Sequence, residues 1–220
     1  MPIWSREVET FMLTIEDVRK NPVVAVIRHA APETIIDTVR ALREGGIHSI
    51  ELTAETRGIA GIIESVRNEF GDNLNIGAGT VLDPETAKEV ISAGAEFIVS
   101  PTMNTETIKV TKRYGKLAIP GALTPTEILT AYEHGADIVK VFPASMFGPS
   151  YIKNVHGPLP QIPLMVTGGI TLDNMEEYIK AGSVAVGVGS NLADPRKLHS
   201  EEDFKALREK AMSFTEKLAY

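Results

Sequence analysis

Residues 134–141 read His-Gly-Ala-Asp-Ile-Val-Lys-Val, a short β-rich run that follows a helical pattern and a glycine. Three other segments have the same form: residues 44–52 (Glu-Gly-Gly-Ile-His-Ser-Ile-Glu-Leu), 93–99 (Ala-Gly-Ala-Glu-Phe-Ile-Val) and 181–187 (Ala-Gly-Ser-Val-Ala-Val-Gly). Glycine is the usual left-handed residue that ends a helix, so each segment predicts a helix followed by a strand. Gly45, Gly94, Gly135 and Gly182 are 49, 41 and 47 residues apart, which indicates a regular fourfold rhythm.

Four more strand-like runs lie between these segments, at residues 23–27, 74–78, 117–120 and 164–167. Helical patterns of period 3.6 fill the intervals, at residues 34–43, 59–70, 84–93, 105–114, 126–134 and 174–181. Eight short apolar strands that alternate with helices favour a parallel sheet covered by helices. We therefore predict an α/β protein with a (β/α)8 TIM barrel, and pattern alone leaves an open doubly wound sheet as the alternative.

The chain shows no linker and no shift in composition, so we expect one domain over residues 1–220. Residues 1–20 read as an N-terminal leading amphipathic helix, and residues 201–218 as a closing helix.

Composition excludes several classes of function. The 22 basic and 29 acidic residues give a net charge of −7 with no basic stripe, which argues against a nucleic-acid partner. The absence of cysteine excludes disulfides, thiolate catalysis and cysteine-bound zinc. No apolar run approaches the roughly 20 residues of a membrane span, and the N-terminus lacks a signal-peptide pattern, so we expect a cytoplasmic protein without a membrane partner. The five histidines show no metal-ligand spacing, so no metal and no cofactor is expected.

Lys140 and Glu51 are charged residues that lie within predicted strands. Alternation places Ile138, Lys140 and Phe142 on one face of their run, and Glu51 lies on another strand within Ser-Ile-Glu-Leu-Thr. A lysine in an apolar strand is either an ion-paired structural group or a neutral amine used in chemistry. Glu51 is either its ion-pair partner or a proton shuttle, and a Schiff-base enzyme requires both groups together.

Other candidates follow the predicted strands, where barrels carry their chemistry. Arg28 ends the first strand, and its planar fork suits a carboxylate, although an exposed loop arginine is an equal alternative. Gly168 and Gly169 follow the seventh strand, and Gly189 and Ser190 follow the eighth. Glycine loops at these two places form the recurring phosphate site of such barrels, although glycine also marks plain turns.

Six motifs together resemble the bacterial 2-keto-3-deoxy-6-phosphogluconate (KDPG) aldolase and 4-hydroxy-2-oxoglutarate aldolase family. In order they are residues 46–53 (Gly-Ile-His-Ser-Ile-Glu-Leu-Thr), 77–82 (Gly-Ala-Gly-Thr-Val-Leu), 99–101 (Val-Ser-Pro), 120–127 (Pro-Gly-Ala-Leu-Thr-Pro-Thr-Glu), 139–143 (Val-Lys-Val-Phe-Pro) and 167–170 (Thr-Gly-Gly-Ile). The resemblance spans roughly residues 22–193. It implies a class I, metal-independent aldolase on a (β/α)8 barrel, typically a homotrimer, that cleaves KDPG reversibly into pyruvate and glyceraldehyde 3-phosphate.

The resemblance also implies roles for individual residues. Lys140 matches the Schiff-base lysine and Glu51 the catalytic glutamate. The residues that match substrate-binding positions are Thr80 for pyruvate, Pro101, Phe142 against the pyruvyl methyl, Thr167, and the phosphate-loop residues Gly168, Gly169, Gly189 and Ser190. Many members carry an arginine four residues after the glutamate, where this chain has Glu55. Another branch has an arginine at the end of strand one, so the substrate carboxylate is assigned to Arg28.

The resemblance leaves the substrate open. Residues 142–149 (Phe-Pro-Ala-Ser-Met-Phe-Gly-Pro) are similar to the branch that acts on 2-keto-3-deoxy-6-phosphogalactonate, whereas Thr167 before the glycine pair is similar to the gluconate branch. KDPG is the preferred prediction, with the galactonate epimer or 4-hydroxy-2-oxoglutarate as alternatives. Two other classes stay open from the residues: a phosphosugar isomerase or epimerase with Glu51 as base, and a non-catalytic phosphate-binding barrel.

Overall fold

A computed structural model describes residues 12–218. Its sheet contains nine parallel strands: β1 (Val23–Ile27), β2 (Ser49–Thr53), β3 (Asn75–Gly79), β4 (Phe97–Val99), β5 (Leu117–Ile119), β6 (Gly121–Ala122), β7 (Val139–Val141), β8 (Leu164–Thr167) and β9 (Ala185–Val188). The strand order is β5-β4-β3-β2-β1-β9-β8-β7-β6. The described residues therefore form a (β/α)8-type barrel, as predicted, and the open doubly wound sheet is excluded.

The barrel closes through a strand that Pro120 divides in two. The sheet order begins with β5 and ends with β6, and only this proline separates the two. Proline has no N–H to donate to the ladder, so the strand pairing is interrupted there. Its carbonyl still accepts a hydrogen bond from the Lys140 N–H at 2.9 Å. One predicted strand thus becomes two short ones, and eight strands become nine.

Nine helices accompany the strands within residues 12–218: α1 (Ile15–Lys20), α2 (Ile35–Glu44), α3 (Ile59–Phe70), α4 (Pro84–Ser92), α5 (Thr105–Arg113), α6 (Pro125–Glu133), α7 (Pro149–His156), α8 (Met175–Lys180) and α9 (Glu201–Lys217). The six predicted inner helices and the closing helix are confirmed to within a residue or two. Helix α7 was not predicted. It begins with Pro149, and proline is favoured at the first helical position because an N–H there would have no acceptor within the helix.

The leading helix is shorter than predicted. Residues 12–14 are not helical, so the prediction of a helix through to residue 20 is wrong for this part, and residues 1–11 lie outside the described residues. The helix begins after Thr14, whose side chain accepts from the Asp17 N–H while the Asp17 carboxylate accepts from the Thr14 N–H. This reciprocal capping box fixes the helix start.

The predicted helix ends are confirmed at three of the four glycines. Gly94, Gly135 and Gly182 have φ of 111°, 98° and 113°. At the first site the positive φ of 86° belongs to Gly46, whereas Gly45 has φ of −81° and is still part of the helix end. The prediction for Gly45 was therefore one residue too early.

Alternate residues of several strands pack into two separate clusters. Val24, Ile138 and Met165 belong to the cluster inside the barrel, whereas Val23 and Val139 belong to the larger cluster between strands and helices. Leu13 and Val18 from the N-terminal segment join the interior cluster. Because α1 leads directly into β1, these side chains close the N-terminal end of the barrel and leave the C-terminal end for the site.

Candidate active site

Lys140 and Glu51 both lie buried on the interior face of the barrel. Lys140, on β7, is 3% exposed, and Glu51, on β2, is 1% exposed. Their neighbours Val139, Val141, Ile50 and Leu52 pack in the outer cluster, which confirms the alternation expected from the sequence. An amine and a carboxylate thus share the apolar interior, where an isolated charge is costly.

The Glu51 carboxylate has no hydrogen-bond partner within residues 12–218 for either of its oxygens. The side chain extends over the Cα of Gly79, where a Cβ would overlap the carboxylate. Burial raises the pKa of Glu51; the positive charges of Lys140 and Arg28 oppose this rise, and the negative charge of Glu55 adds to it. An acid with a raised pKa and free oxygens can both give and take a proton.

Burial lowers the pKa of the Lys140 ammonium, while the Glu51 charge raises it and the Arg28 charge lowers it further. The Lys140 Nζ atom lies 5.0 Å from the centroid of the Phe142 ring, which follows β7. A lowered pKa increases the fraction of neutral amine, which is the nucleophilic form of lysine.

A cavity of about 220 Å³ opens at the C-terminal ends of β1, β8 and β9. It brings together seven predicted site residues: Arg28, Phe142, Thr167, Gly168, Gly169, Gly189 and Ser190. Lys140 and Glu51 do not line this cavity, but Phe142, whose ring lies beside the Lys140 amine, does. A larger groove of about 700 Å³ lies between α2 and α9, away from these strand ends, and its charged lining mixes both signs.

Unused backbone donors surround this cavity. None of the N–H groups of Gly168, Gly169, Ile170, Gly189 and Ser190 donates a hydrogen bond to another group within residues 12–218. Gly168 and Gly169 have φ of 92° and 75°, a conformation that glycine adopts without strain. Free N–H groups from two facing loops make a concave binding surface for an anion.

The Thr167 hydroxyl is buried and has no hydrogen-bond partner in the described part of the chain. It ends β8, lines the cavity and lies beside Gly187, where a Cβ would be 2.5 Å from Thr167 Oγ1. A buried hydroxyl without a partner is costly, which marks Thr167 as a group available to a ligand.

Arg28 forms an ion pair with Glu55, the residue that stands where the resemblance predicts an arginine. Its Nη1 atom donates a hydrogen bond to Glu55 Oε1 at 2.7 Å, with side chains 49% and 35% exposed. Burial acts to raise the pKa of Glu55, but hydrogen bonds from its own backbone and from Thr53, together with Arg28, hold it below its usual range. The charge at Glu55 was noted from the sequence, but its contact with Arg28 was not.

Thr80 and Pro101 follow β3 and β4 and lie outside the cavity lining. Thr80 has φ of 54°, which is uncommon for a residue with a β-branched side chain. Strained backbone of this kind clusters at functional sites. The Pro101 carbonyl lies against Gly121 in β6, where a Cβ would collide with it.

Sequence reasoning missed Asn174 and Asn191, two amides that hold the loop after β8. Asn174 Nδ2 donates to the Gly169 carbonyl at 3.0 Å, and Asn191 Nδ2 donates to the Ile170 carbonyl at 2.8 Å. The one available signal was the position of Asn191 directly after the Gly-Ser pair. Residues 12–218 contain no cluster of three potential metal ligands, and none of their helices is long and apolar enough to cross a membrane.

A (β/α)8 barrel with a buried lysine and a buried glutamate on its interior face has the architecture of a barrel enzyme. The family model described as "Aldolase: KDPG and KHG aldolase" matches residues 14–209. The chain therefore belongs to the KDPG and KHG aldolase family and is a carbon–carbon lyase. This membership sets aside the isomerase and the non-catalytic alternatives.

Similar proteins are named for different substrates. The chain is 36% identical over 174 residues to 2-dehydro-3-deoxy-6-phosphogalactonate aldolase of Escherichia coli K12, covering 79% of this chain and 85% of the relative. It is 37% identical over 182 residues to 2-dehydro-3-deoxy-phosphogluconate aldolase of Treponema pallidum, covering 82% and 85%. Among solved structures, Legionella pneumophila KDPG aldolase, with pyruvate captured as a covalent carbinolamine, has a TM-score of 0.85 and 30% identity over 92% of this chain and 98% of that chain.

Proposed function

We propose that the protein is a Schiff-base aldolase that cleaves KDPG into pyruvate and glyceraldehyde 3-phosphate. The observation that carries this proposal is the buried pair on β7 and β2: a lysine whose pKa is lowered and a glutamate whose carboxylate has no hydrogen-bond partner in residues 12–218. A structural ion pair would be hydrogen-bonded, because buried charges without partners are costly. A bound substrate would supply the hydrogen-bond partners that the Glu51 carboxylate lacks.

The first half of the reaction forms the covalent intermediate. The neutral Lys140 amine attacks the C2 ketone and forms a carbinolamine. Glu51 gives a proton to the departing hydroxyl, which leaves as water, and the product is a protonated imine between Lys140 and C2. The raised pKa of Glu51 supports this donation, because a carboxyl with a raised pKa keeps its proton to higher pH and can act as an acid.

The second half breaks the C3–C4 bond. Glu51, now ionised, removes the proton of the C4 hydroxyl, and the electrons of the C3–C4 bond move into the imine. C4 leaves as the aldehyde carbon of glyceraldehyde 3-phosphate, and the pyruvyl part stays on Lys140 as a neutral enamine. Glu51 returns the proton to C3, which restores the protonated imine. Water then hydrolyses this imine to pyruvate and the free amine, and the proton released goes to the Glu51 carboxylate, which is ready for the next cycle.

The remaining site residues bind the two anionic ends of the substrate. The N–H groups of Gly168, Gly169, Gly189 and Ser190 hold the phosphate, since free donors around one cavity suit its oxygens. Arg28 binds the carboxylate with the N–H groups that Glu55 does not use. The Phe142 ring packs on the pyruvyl methyl, and Thr80 and Pro101 form the wall on the β3 and β4 side.

Borohydride reduction with pyruvate, followed by peptide mass spectrometry, tests the mechanism. We expect a stable adduct on Lys140 in the wild type and no adduct in Lys140→Met. Lys109→Met is the matched control, because Lys109 is an exposed lysine on α5 and its removal leaves the amine of β7 in place. An adduct on another lysine, or aldol cleavage by Lys140→Met, would overturn the proposal.

The choice of KDPG rests on Thr167. Its unpartnered hydroxyl lines the cavity, where it can bond to the C4 hydroxyl of a bound substrate. We expect wild-type kcat/KM to be higher for KDPG than for its C4 epimer or for 4-hydroxy-2-oxoglutarate, and Thr167→Val to lower the ratio of the two epimers by about fivefold to tenfold. A wild-type preference for the epimer would assign the protein to 2-keto-3-deoxy-6-phosphogalactonate, with the same chemistry.

We also expect a homotrimer, an assembly that the family resemblance implies. Met146 and Phe147, between β7 and α7, are 71% and 54% exposed, and exposed large apolar side chains are typical of surfaces that a partner covers. Light scattering on the purified protein should give three times the 23.8 kDa of one chain. A monomer at micromolar concentration would contradict this expectation.

A further inference from the structure

The loop after β8 is fixed through its carbonyl groups. The carbonyl oxygens of Gly168, Gly169 and Ile170 each accept one hydrogen bond from the surrounding structure. The donors are the Ser145 N–H at 3.1 Å, Asn174 Nδ2 at 3.0 Å and Asn191 Nδ2 at 2.8 Å. Because three successive carbonyls are held, the direction of the N–H groups between them is set as well.

Asn191 differs from the other two donors, Ser145 and Asn174, because it lies in the loop after β9. It follows Ser190 in the loop after β9 and lines the cavity. Among the hydrogen bonds of residues 12–218, its bond to the Ile170 carbonyl is the one that joins the loop of residues 168–171 to the loop of residues 189–193. The pairing of β8 and β9 ends at Thr167 and Gly187, and beyond it this side-chain amide ties together the two sets of free N–H groups.

The glycine pair can change its conformation unless the loop is held. Gly168 and Gly169 have φ of 92° and 75°, and glycine can leave this conformation without the steric barrier that other residues meet. Rotation of one peptide would replace an N–H by a carbonyl oxygen at the cavity. A carbonyl oxygen repels an anion, so the loop binds an anion well only while its carbonyls are held away.

We propose that Asn191 is a positioning residue for the phosphate of the substrate. It acts through the Ile170 carbonyl, by holding the two glycine loops at the spacing at which their N–H groups meet one phosphate. The proposal rests on the proposed function, since it takes the substrate to be a phosphorylated 2-keto acid. It makes Asn191 a determinant of the preference for phosphorylated over unphosphorylated substrates.

The first test measures the Kd of inorganic phosphate by titration calorimetry and needs no turnover. We expect Asn191→Ala to raise this Kd by roughly fivefold to tenfold, the change that one lost hydrogen bond produces. Asn191→Asp keeps the size of the side chain but replaces the donor by a negative charge, so its increase should be larger. Asn154→Ala is the matched control, because Asn154 is an exposed asparagine on α7 outside the cavity lining.

The second test separates positioning from a general structural role. For Asn191→Ala we expect the KM of KDPG to rise by the same factor, with kcat and the kinetics of unphosphorylated 2-keto-3-deoxygluconate within twofold of wild type. Equal losses on both substrates, or an unchanged phosphate Kd in both Asn191 variants, would overturn the proposal. Absence of a pyruvate adduct on wild-type Lys140 would instead overturn the proposed function, while the phosphate titration would still decide the role of Asn191.

Discussion

Arg28 Nη1 lies 2.7 Å from Glu55 Oε1, so the residue that follows β1 is tied to the loop that follows β2. Position 55 is where the family resemblance predicts an arginine, and here a carboxylate binds Arg28, which follows the neighbouring strand. Guanidinium has five N–H donors in a planar fork, and the structure gives Arg28 one hydrogen bond within residues 12–218. Arg28 can therefore bind a substrate carboxylate while Glu55 keeps it at the mouth of the barrel.

Removal of Arg28 should weaken substrate binding far more than it weakens the fold. A hydrogen bond to a charged group contributes about 1.5–3 kcal/mol, so Arg28→Ala should raise the KM for the 2-keto acid by roughly tenfold to a hundredfold. Its ion pair with Glu55 is half exposed and should contribute less than about 1 kcal/mol to the free energy of unfolding. Steady-state kinetics and urea denaturation measure the two effects.

Arg196 offers the matched control for this experiment. It forms an exposed ion pair with Asp194 at 2.9 Å and lies outside the cavity lining, so Arg196→Ala should change stability as little as Arg28→Ala and leave KM unaltered. An unchanged KM in Arg28→Ala would show that another group binds the carboxylate.

Glu55 should affect the pH dependence of the reaction through Glu51. The negative charge of Glu55 raises the pKa of Glu51, and the positive charge of Arg28 lowers it. Glu55→Gln should therefore move the acid limb of kcat to lower pH, because Glu51 then stays ionised in more acidic solution. Arg28→Ala should move the same limb to higher pH. If the acid limb of kcat moved in the same direction in both variants, a group other than Glu51 would determine its position.

The barrel was predictable from the sequence because its signal is local and repeated. A glycine after four of the helical patterns, with a short apolar run after each of these glycines, locates helix ends and strand starts within a few residues. The placement of Lys140 and Glu51 on the interior face follows from the same period-2 alternation, and burial confirms it.

The missed features depend on contacts between distant residues. Arg28 and Glu55 are 27 residues apart, and they meet because β1 and β2 pair with Ile27 opposite Leu52. Asn191 and Ile170 are 21 residues apart and meet in the same way beyond the ends of β8 and β9. The sequence pattern predicts the strand order because it predicts the barrel. It does not predict which residues lie opposite one another on paired strands, so it cannot predict which side chains meet.

Gly79 should be essential for the position of the Glu51 carboxylate. A Cβ at this residue would overlap Glu51 Oε1 and its carboxyl carbon, so Gly79→Ala must displace the side chain from its place. A displacement of about 1 Å can cost roughly a hundredfold in rate, and we expect a loss of kcat of that size. Enzyme assays on the purified variant, with circular dichroism to establish folding, measure it.

Gly61→Ala is the control for Gly79→Ala. Gly61 lies in α3, and a Cβ there would meet nothing within 4 Å. Alanine is a better helix former than glycine, so this variant should gain about 0.5–1 kcal/mol of stability with normal activity. Full activity in Gly79→Ala would show that Glu51 works from a different position.

Lys140 and Glu51 should cost the protein stability at neutral pH. Burial lowers the pKa of Lys140, so the charged lysine reduces the free energy of unfolding. This reduction disappears only as pH rises toward the pKa of lysine in the unfolded chain, near 10.5. Burial raises the pKa of Glu51, so the free energy of unfolding falls as pH rises above 4.5, the pKa of glutamate in the unfolded chain. Between these limits the folded state carries the cost of both groups, and replacing both by apolar side chains removes it.

The double variant Lys140→Met/Glu51→Met should therefore be more stable than wild type by about 1–4 kcal/mol at pH 7, the range found when buried charges give way to apolar groups. Lys140→Met alone should gain less, because it leaves the Glu51 carboxyl buried without its opposite charge. Urea denaturation from pH 5 to pH 9 measures both variants. A double variant no more stable than wild type across this range would mean that the pair stabilises the fold, and that its burial is not a cost kept for catalysis.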